Sequence, residues 1–244
     1  MAEELQLALL GNPEIRLAGQ PAMAFGTNKA QALLCYLVLT GRPHLRPAVA
    51  GLLWGELPET NAHTNLRKAL YNLRRLVGDH LDITRQAVGF DGDLPYWLDV
   101  AVFEALARGA SHPASTPPAR IEDLEQAIAL YRGDLLEGFY VRQAPAFEEW
   151  LRAQRARLRE LAVQVLQAAI GHHAGLGAAG HAAGIRYATR LLALEPWREG
   201  AHRHVMRLLA QSGQRGAALA QYETCRQLLA EELGVEPGPE AARL

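Results

Sequence analysis

Residues 60–78 read Thr-Asn-Ala-His-Thr-Asn-Leu-Arg-Lys-Ala-Leu-Tyr-Asn-Leu-Arg-Arg-Leu-Val-Gly, with four cations (Arg67, Lys68, Arg74, Arg75) and no acidic residue. On a wheel turned about 100° per residue, Ala62, Leu66, Ala69, Leu70, Leu73 and Val77 share one side. Asn61, Thr64, Arg67, Lys68, Tyr71, Arg74 and Arg75 take the other. Those residue types suit a DNA major groove. Arginine can span O6 and N7 of guanine, asparagine can pair with adenine, and lysine or threonine can hold phosphates. A solvated basic face with no partner has the same composition. The acid-free run and the short hairpin that follows it, with Arg85 at its turn, favour the nucleic-acid reading.

Such a helix has to be held by others, and the flanking sequence supplies them. Leu5, Leu7 and Leu9 alternate before Gly-Asn-Pro, then Ile15 and Leu17 before a turn at residues 19–21, which reads as short antiparallel strands. From Lys29 the period changes: Ala30, Leu33, Leu34, Leu37 and Val38 predict an amphipathic helix stopped by Gly41 and Pro43. A second helix carries Val49, Leu52, Leu53 and Trp54 to Gly55; the third begins between Pro58 and Thr60 and ends at Gly78. Residues 81–84 and 88–90 then form two small strands around Arg85, Gln86 and Ala87. Strands, three helices and a hairpin make a winged helix-turn-helix, whose third helix enters the major groove while the wing touches an adjacent groove or the backbone.

Beyond Trp97 the pattern is helical, over residues 121–131, 145–173, 182–194, 198–211 and 215–233, with a proline- and serine-rich connector at 111–119. An offset of 34 residues aligns Ile185 with Leu219, Ala188 with Tyr222, Leu191 with Cys225 and Leu194 with Leu228, the tetratricopeptide period.

Composition narrows the function. The 244 residues are 49% hydrophobic and 21% charged, with a formal net charge of −1. A cut after Leu98 leaves nine basic against nine acidic residues before it and 16 against 17 after it. A polyanion therefore has to be met by a patch rather than by the chain as a whole. Apolar runs fall short of the ~18–20 residues that span a bilayer, and the acidic N-terminus is not a secretory leader, so a cytoplasmic protein is expected. Cys35 and Cys225 read as buried thiols, and Trp54, Trp150 and Trp197 as packing residues. His172, His173, His181, His202 and His204 lack the spacing and companions of a metal site, and no phosphate loop, G-x-S-x-G or H-E-x-x-H occurs. Neither catalytic residues, nor a cofactor, nor a metal is expected. Asn28 and Lys29 could hold a phosphate or simply cap the first helix.

The run LRKALYNLRRLVG, preceded by LLWGELPETNAHTN and followed by TRQAVGF and YWLDVAVFEAL, resembles the DNA-binding domain of the bacterial SARP/AfsR transcriptional activators. LYRGDLLEGFYVRQAPAFEEWLRAQRARL, RYATRLLALEPWREGAHRHVMRLLAQSGQRGAALAQYETCRQLL and AEELGVEPGPE are similar to that family's transcriptional activation domain. The resemblance implies a mainly α protein: an OmpR-like winged helix-turn-helix with small β-sheets and three helices over residues 1–98, then an all-α tetratricopeptide-like domain over 99–244. Its N-terminal sheet would span residues 5–23. It implies an activator of transcription that binds direct repeats in double-stranded promoter DNA, with a second copy on the adjacent half-site, and contacts RNA polymerase. By position, Asn61, Thr64, Arg67, Lys68, Tyr71, Arg74 and Arg75 fall on the recognition helix, Arg85 and Gln86 on the wing, and residues 55–59 on the loop that can face polymerase. Asp91 and Asp93 make the segment after the wing acidic. The family usually continues past GVEPGPE, so a longer regulator is compatible with this chain. The competing reading is a helical protein-interaction scaffold with a vestigial winged helix.

Overall fold

In the computed structural model, residues 5–21, 25–109 and 120–243 are described. The expected connector at 111–119 and residues 22 and 23 of the expected N-terminal sheet lie outside them. The chain divides into two compact units that do not follow a single cut: residues 1–102 with 131–158, and residues 103–130 with 159–244.

The first unit is a winged helix-turn-helix. Strands β1 (Leu5–Ala8), β2 (Glu14–Leu17) and β3 (Gln20–Pro21) form an antiparallel ribbon, with Leu5 opposite Leu17 and Leu7 opposite Ile15. Leu5 and Leu7 are buried while Gln6 and Ala8 are half-buried, the alternation of a one-sided sheet. Helix α1 (Asn28–Thr40) is capped by the Thr27 hydroxyl, which accepts from Ala30 N, and ends at Gly41, whose N–H donates to Leu37 O. After β4 (His44–Leu45), helix α2 (Arg46–Trp54) buries Val49, Ala50, Leu53 and Trp54. Helix α3 (Glu59–Val77) buries Ala62, Leu66, Ala69, Leu70, Leu73 and Val77, the stripe its periodicity predicts. Strands β5 (Leu81–Ile83) and β6 (Ala87–Phe90) complete the wing. A Cβ on Gly89 would stand 3.3 Å from Pro43 Cα, so glycine lets β6 pass close to the chain entering β4.

Two strands escape the sequence pattern because each is only two or three residues long. Strand β4 pairs with β6 and gives the wing sheet the order β4-β6-β5. Strand β7 (Tyr96–Leu98) lies parallel to β1, giving β3-β2-β1-β7.

Asp99, which follows β7 and opens helix α4 (Asp99–Ala107), is 1% exposed. Its carboxylate accepts from Leu9 N at 2.8 Å and Leu10 N at 2.9 Å, and Arg132 Nη2 stands 3.4 Å from it. The chain after helix α5 (Ile121–Leu130) joins here. Leu10 and Leu135 form a bridge, Gly11 N donates to Asp134 O, and Leu136 N donates to Leu9 O. Arg155, on helix α6 (Pro145–Gly175), donates to the carbonyls of Leu135 and Leu136. Asn28 Nδ2 donates to Tyr140 O and Lys29 Nζ to Gln143 O, so both side chains fasten this segment. Trp54 is buried as expected, with Lys29 Nζ 5.7 Å from its ring centre, and half-buried Trp150 meets Tyr36 edge-on.

The second unit is a tetratricopeptide-like helical array. Helix α8 (Glu199–Gln211) packs against both α7 (His181–Leu194) and α9 (Arg215–Leu233), and a short α10 (Pro239–Ala242) touches α8. A Cβ on Gly184 would stand 2.8 Å from Leu208 Cδ1, so α7 and α8 approach more closely there than a side chain allows. His202 Nε2–H donates to Pro196 O at 2.7 Å and Nδ1 accepts from the Gln221 amide, linking the α7–α8 turn to α9. The 34-residue pairs share burial only in part: Leu191 and Cys225 are both buried, whereas Leu219, paired with half-buried Ile185, is 69% exposed. Trp197, expected to pack, is 51% exposed, because it sits in the turn whose neighbouring Pro196 carbonyl is held by His202. Cys35 and Cys225 are buried free thiols; burial pushes them up to about 12 and about 11. Among the described residues, no helix is long and apolar enough to cross a membrane.

Two measurements check these forces. Asp99→Ala would strand two buried N–H groups and is expected to lower the unfolding free energy by about 3 kcal/mol in urea titration, with Asp99→Asn intermediate. Burial, with the Arg42 guanidinium second, holds the His44 imidazole below its ordinary 6.5. The folded chain therefore binds that proton less well than the unfolded chain does. Its contribution to stability is complete above about pH 6.5 and is lost as pH falls through the lowered value. Burial, with Arg207 and Arg203, lowers His204 in the same sense. Thermal unfolding between about pH 7.5 and 5 should show this decline, and His44→Gln should flatten part of it.

Candidate nucleic-acid interface

Local chemistry makes α3 amphipathic, and packing decides which half is seen. With its apolar stripe buried against α1 and α2, Asn61, Arg67, Lys68, Tyr71, Arg74 and Arg75 are exposed and Thr64 is half-buried. Tyr71, at 65% exposure, is the most open of the large apolar side chains on this helix. The sequence-based candidates on α3 are thus brought to one face. Lys68, Arg75, Tyr71, Thr64 and Asn61 lie opposite the buried stripe, and Arg67 and Arg74 flank them, one above the other at a spacing of seven residues.

Part of this face is pre-arranged. Thr64 Oγ1 donates to Thr60 O at 2.8 Å and accepts from Arg67 Nη2 at 3.2 Å. The Arg75 guanidinium lies 5.9 Å from the Tyr71 ring centre, within reach of a cation–π contact. Among the described residues, no carboxylate forms an ion pair with Arg67, Lys68, Arg74 or Arg75. Helix α3 begins at Glu59, inside the expected start between Pro58 and Thr60, so its first turn carries one acidic residue ahead of the acid-free run. Glu59 stands 3.6 Å from His63, a turn on, and the negative charge suits a helix start.

Arg85 and Gln86 are both exposed at the tip of the wing. The turn is closed by Thr84, whose N and Oγ1 both donate to Ala87 O and whose Oγ1 accepts from Ala87 N. Arg46, at the start of α2, reaches this turn as well: its backbone N donates to Gln86 O at 2.9 Å and its Nη1 to Thr84 O at 3.1 Å. Arg46 was missed in the sequence because both acceptors are main-chain carbonyls, which any residue carries. Asn65 and Asn72, half-buried at the margin of the α3 face, were also overlooked; their offset of three or four residues from Lys68 is the signal that could have found them. Asp91 is half-buried and Asp93 exposed, and Asp91 Oδ1 accepts from Asp93 N. Of the loop at residues 55–59, Gly55, Glu56 and Pro58 are exposed and Leu57 is half-buried, while Glu59 belongs to α3. Among the described residues, no group of three histidine, cysteine or acidic side chains is placed to hold a metal ion.

Comparison with known proteins bears on the family and the fold. Residues 98–244 match the family described as Bacterial transcriptional activator domain. Regulatory protein AfsR of Streptomyces griseus is 29% identical over 250 residues, a stretch that covers 100% of this chain and 24% of that protein. Regulatory protein DnrI of Streptomyces peucetius is 29% identical over 211 residues, covering 78% of this chain and 72% of DnrI. Mycobacterium tuberculosis EmbR, solved in complex with a low affinity phosphopeptide, superposes with a TM-score of 0.73 at 26% identity, over 99% of this chain and 64% of that one. The chain thus spans about a quarter of the length of the AfsR relative.

Because the exposed cations of α3 pair with no carboxylate among the described residues and Arg67 reaches only the Thr64 hydroxyl one turn away, Arg67→Ala and Arg74→Ala are expected to change the unfolding free energy by less than about 0.5 kcal/mol. Leu73→Ala, on the buried side of the same helix, should cost about 3 kcal/mol. Chemical denaturation of the three variants compares them directly.

Proposed function

The chain belongs to the bacterial transcriptional activator domain family, in the SARP/AfsR group of transcriptional activators, and from that premise we propose that it binds promoter DNA through the exposed face of α3 and the wing. The observation that carries this reading is a rigid helix presenting Arg67, Lys68, Arg74 and Arg75 without internal counter-charges, beside a wing tipped by Arg85 and Gln86. Helix α3 enters the major groove. Arg67 and Arg74, on the flank, hold phosphates; Lys68 and Arg75 hold phosphates or read guanine; Asn61, Thr64 and Tyr71 add base or backbone contacts. The work is binding and not catalysis, and it is done in the cytoplasm.

The DNA-binding part takes in residues 1–98, and the helical part, residues 99–244, presents protein-binding surface. A second copy on an adjacent direct repeat adds affinity by keeping both sites locally concentrated. RNA polymerase is the proposed partner of the loop at 55–59.

Duplexes selected from a random pool at low ionic strength provide the test. The four cations of α3, each neutralising one phosphate, contribute about −3.6 to the slope of log K against log salt. The Arg67→Ala/Arg74→Ala variant should bind at least about tenfold more weakly, with the slope reduced by about 1.8. Absence of affinity for any duplex in the wild type would discard the DNA-binding reading and leave a protein-interaction scaffold.

A further inference from the structure

We infer that Arg46 is the joint that places the wing, and that its remaining N–H groups bind a backbone phosphate of the duplex next to Arg85. The inference rests on the DNA-binding reading above. Arg85 lies between two carbonyls, those of Thr84 and Gln86, and Arg46 holds both, one with its guanidinium and one with its main-chain N–H. Strand pairing adds to this, since Leu45, the residue before Arg46, is opposite Ala87. The aim of the wing tip is therefore set from the first residue of α2.

Holding a carbonyl needs only a neutral donor. Arg46 brings a full positive charge, half-buried, with no carboxylate paired to it among the described residues, and bonded to the turn that carries the exposed cation Arg85. A guanidinium has five N–H donors in a planar fork, and Thr84 O occupies one of them. The others are fixed in direction by that bond, which suits two-point binding of a phosphate oxygen pair and relieves the like-charge repulsion with Arg85. Wing placement and phosphate binding are thus coupled through one side chain.

The experiment measures duplex affinity against salt by fluorescence anisotropy, using a duplex selected by the wild-type chain. The proteins are wild type, Arg46→Ala, Arg46→Lys, Arg85→Ala and Arg46→Ala/Arg85→Ala, each checked by thermal unfolding. Arg85→Ala should reduce the slope by about 0.9, and Arg46→Ala by about 1.8, because it loses its own phosphate and the one held by Arg85. The double variant should bind no more weakly than Arg46→Ala alone. Arg46→Lys keeps the charge, but one ammonium cannot serve both Thr84 O and the phosphate, so its slope should shrink by about 0.9. An unchanged slope in Arg46→Ala or Arg46→Lys overturns the inference, as do effects of Arg46 and Arg85 that simply add, or a lowered melting temperature without a change in slope. If the wild type binds and Arg67→Ala/Arg74→Ala weakens it while the Arg46 variants do not, this inference alone falls. If the wild type binds no duplex, it falls together with the DNA-binding reading.

Discussion

Leu9 and Leu10 carry two main-chain N–H groups past the end of β1, at a place where both side chains are fully buried and water cannot serve as acceptor. The Asp99 carboxylate takes both, and the closure of the first unit's larger sheet and the docking of the segment after α5 converge on it. Burial disfavours its charge and pushes the carboxyl above the ordinary carboxylate range, while the two N–H groups and Arg132 act in the opposite direction. Because Asp99 follows β7 directly, satisfying β1 brings the last strand of the unit against the first. The same location fastens the segment at 131–137, which continues the hydrogen bonding at Leu9, Leu10 and Gly11. The winged-helix fold is in this way completed by residues more than thirty positions beyond its last strand.

Within that frame, the usefulness of α3 comes from asymmetry. Six apolar side chains fix one side of the helix against α1 and α2, and burying each contributes roughly 1.5–3 kcal/mol for the larger ones, far more than a surface ion pair would. The opposite side is left with cations, amides and one aromatic ring. Unneutralised charge of this kind costs little in water and becomes favourable when an anion arrives. The wing adds a second positive point, and its tip is held by short-range bonds within the Thr84–Ala87 turn and by Arg46.

In the second unit a repeated pattern is carried out unevenly. Helix α8 lies between α7 and α9, and Gly184 permits a close α7–α8 approach at Leu208. The Tyr187 hydroxyl donates to Glu125 on α5, which gives α7 a neighbour beyond α8. Helix α9 buries Cys225 and Leu229 against α8 and leaves Leu219 open to solvent. Residues paired at the repeat offset therefore meet unequal surroundings.

The sequence by itself determined the elements whose signal is local and periodic. The buried residues of α1 and α3, the glycine that follows each of these helices, the hairpin around Arg85 and the 34-residue repeat are all read from spacing, because a helix or strand repeats its environment every few residues. The α3 candidates were legible for the same reason: polar residues on a helix with one apolar stripe can only face away from it. Tertiary structure alone decided the short strands β4 and β7, the place of residues 131–158, the work of Asn28 and Lys29, the exposure of Trp197 and the grip of Arg46 on the wing. Each of these depends on a hydrogen bond to a main-chain group or on the presence of a neighbour far along the chain. A main-chain carbonyl is the same in every residue, so such a bond leaves no mark in the order of side chains, and only the folded path reveals which residue it reaches.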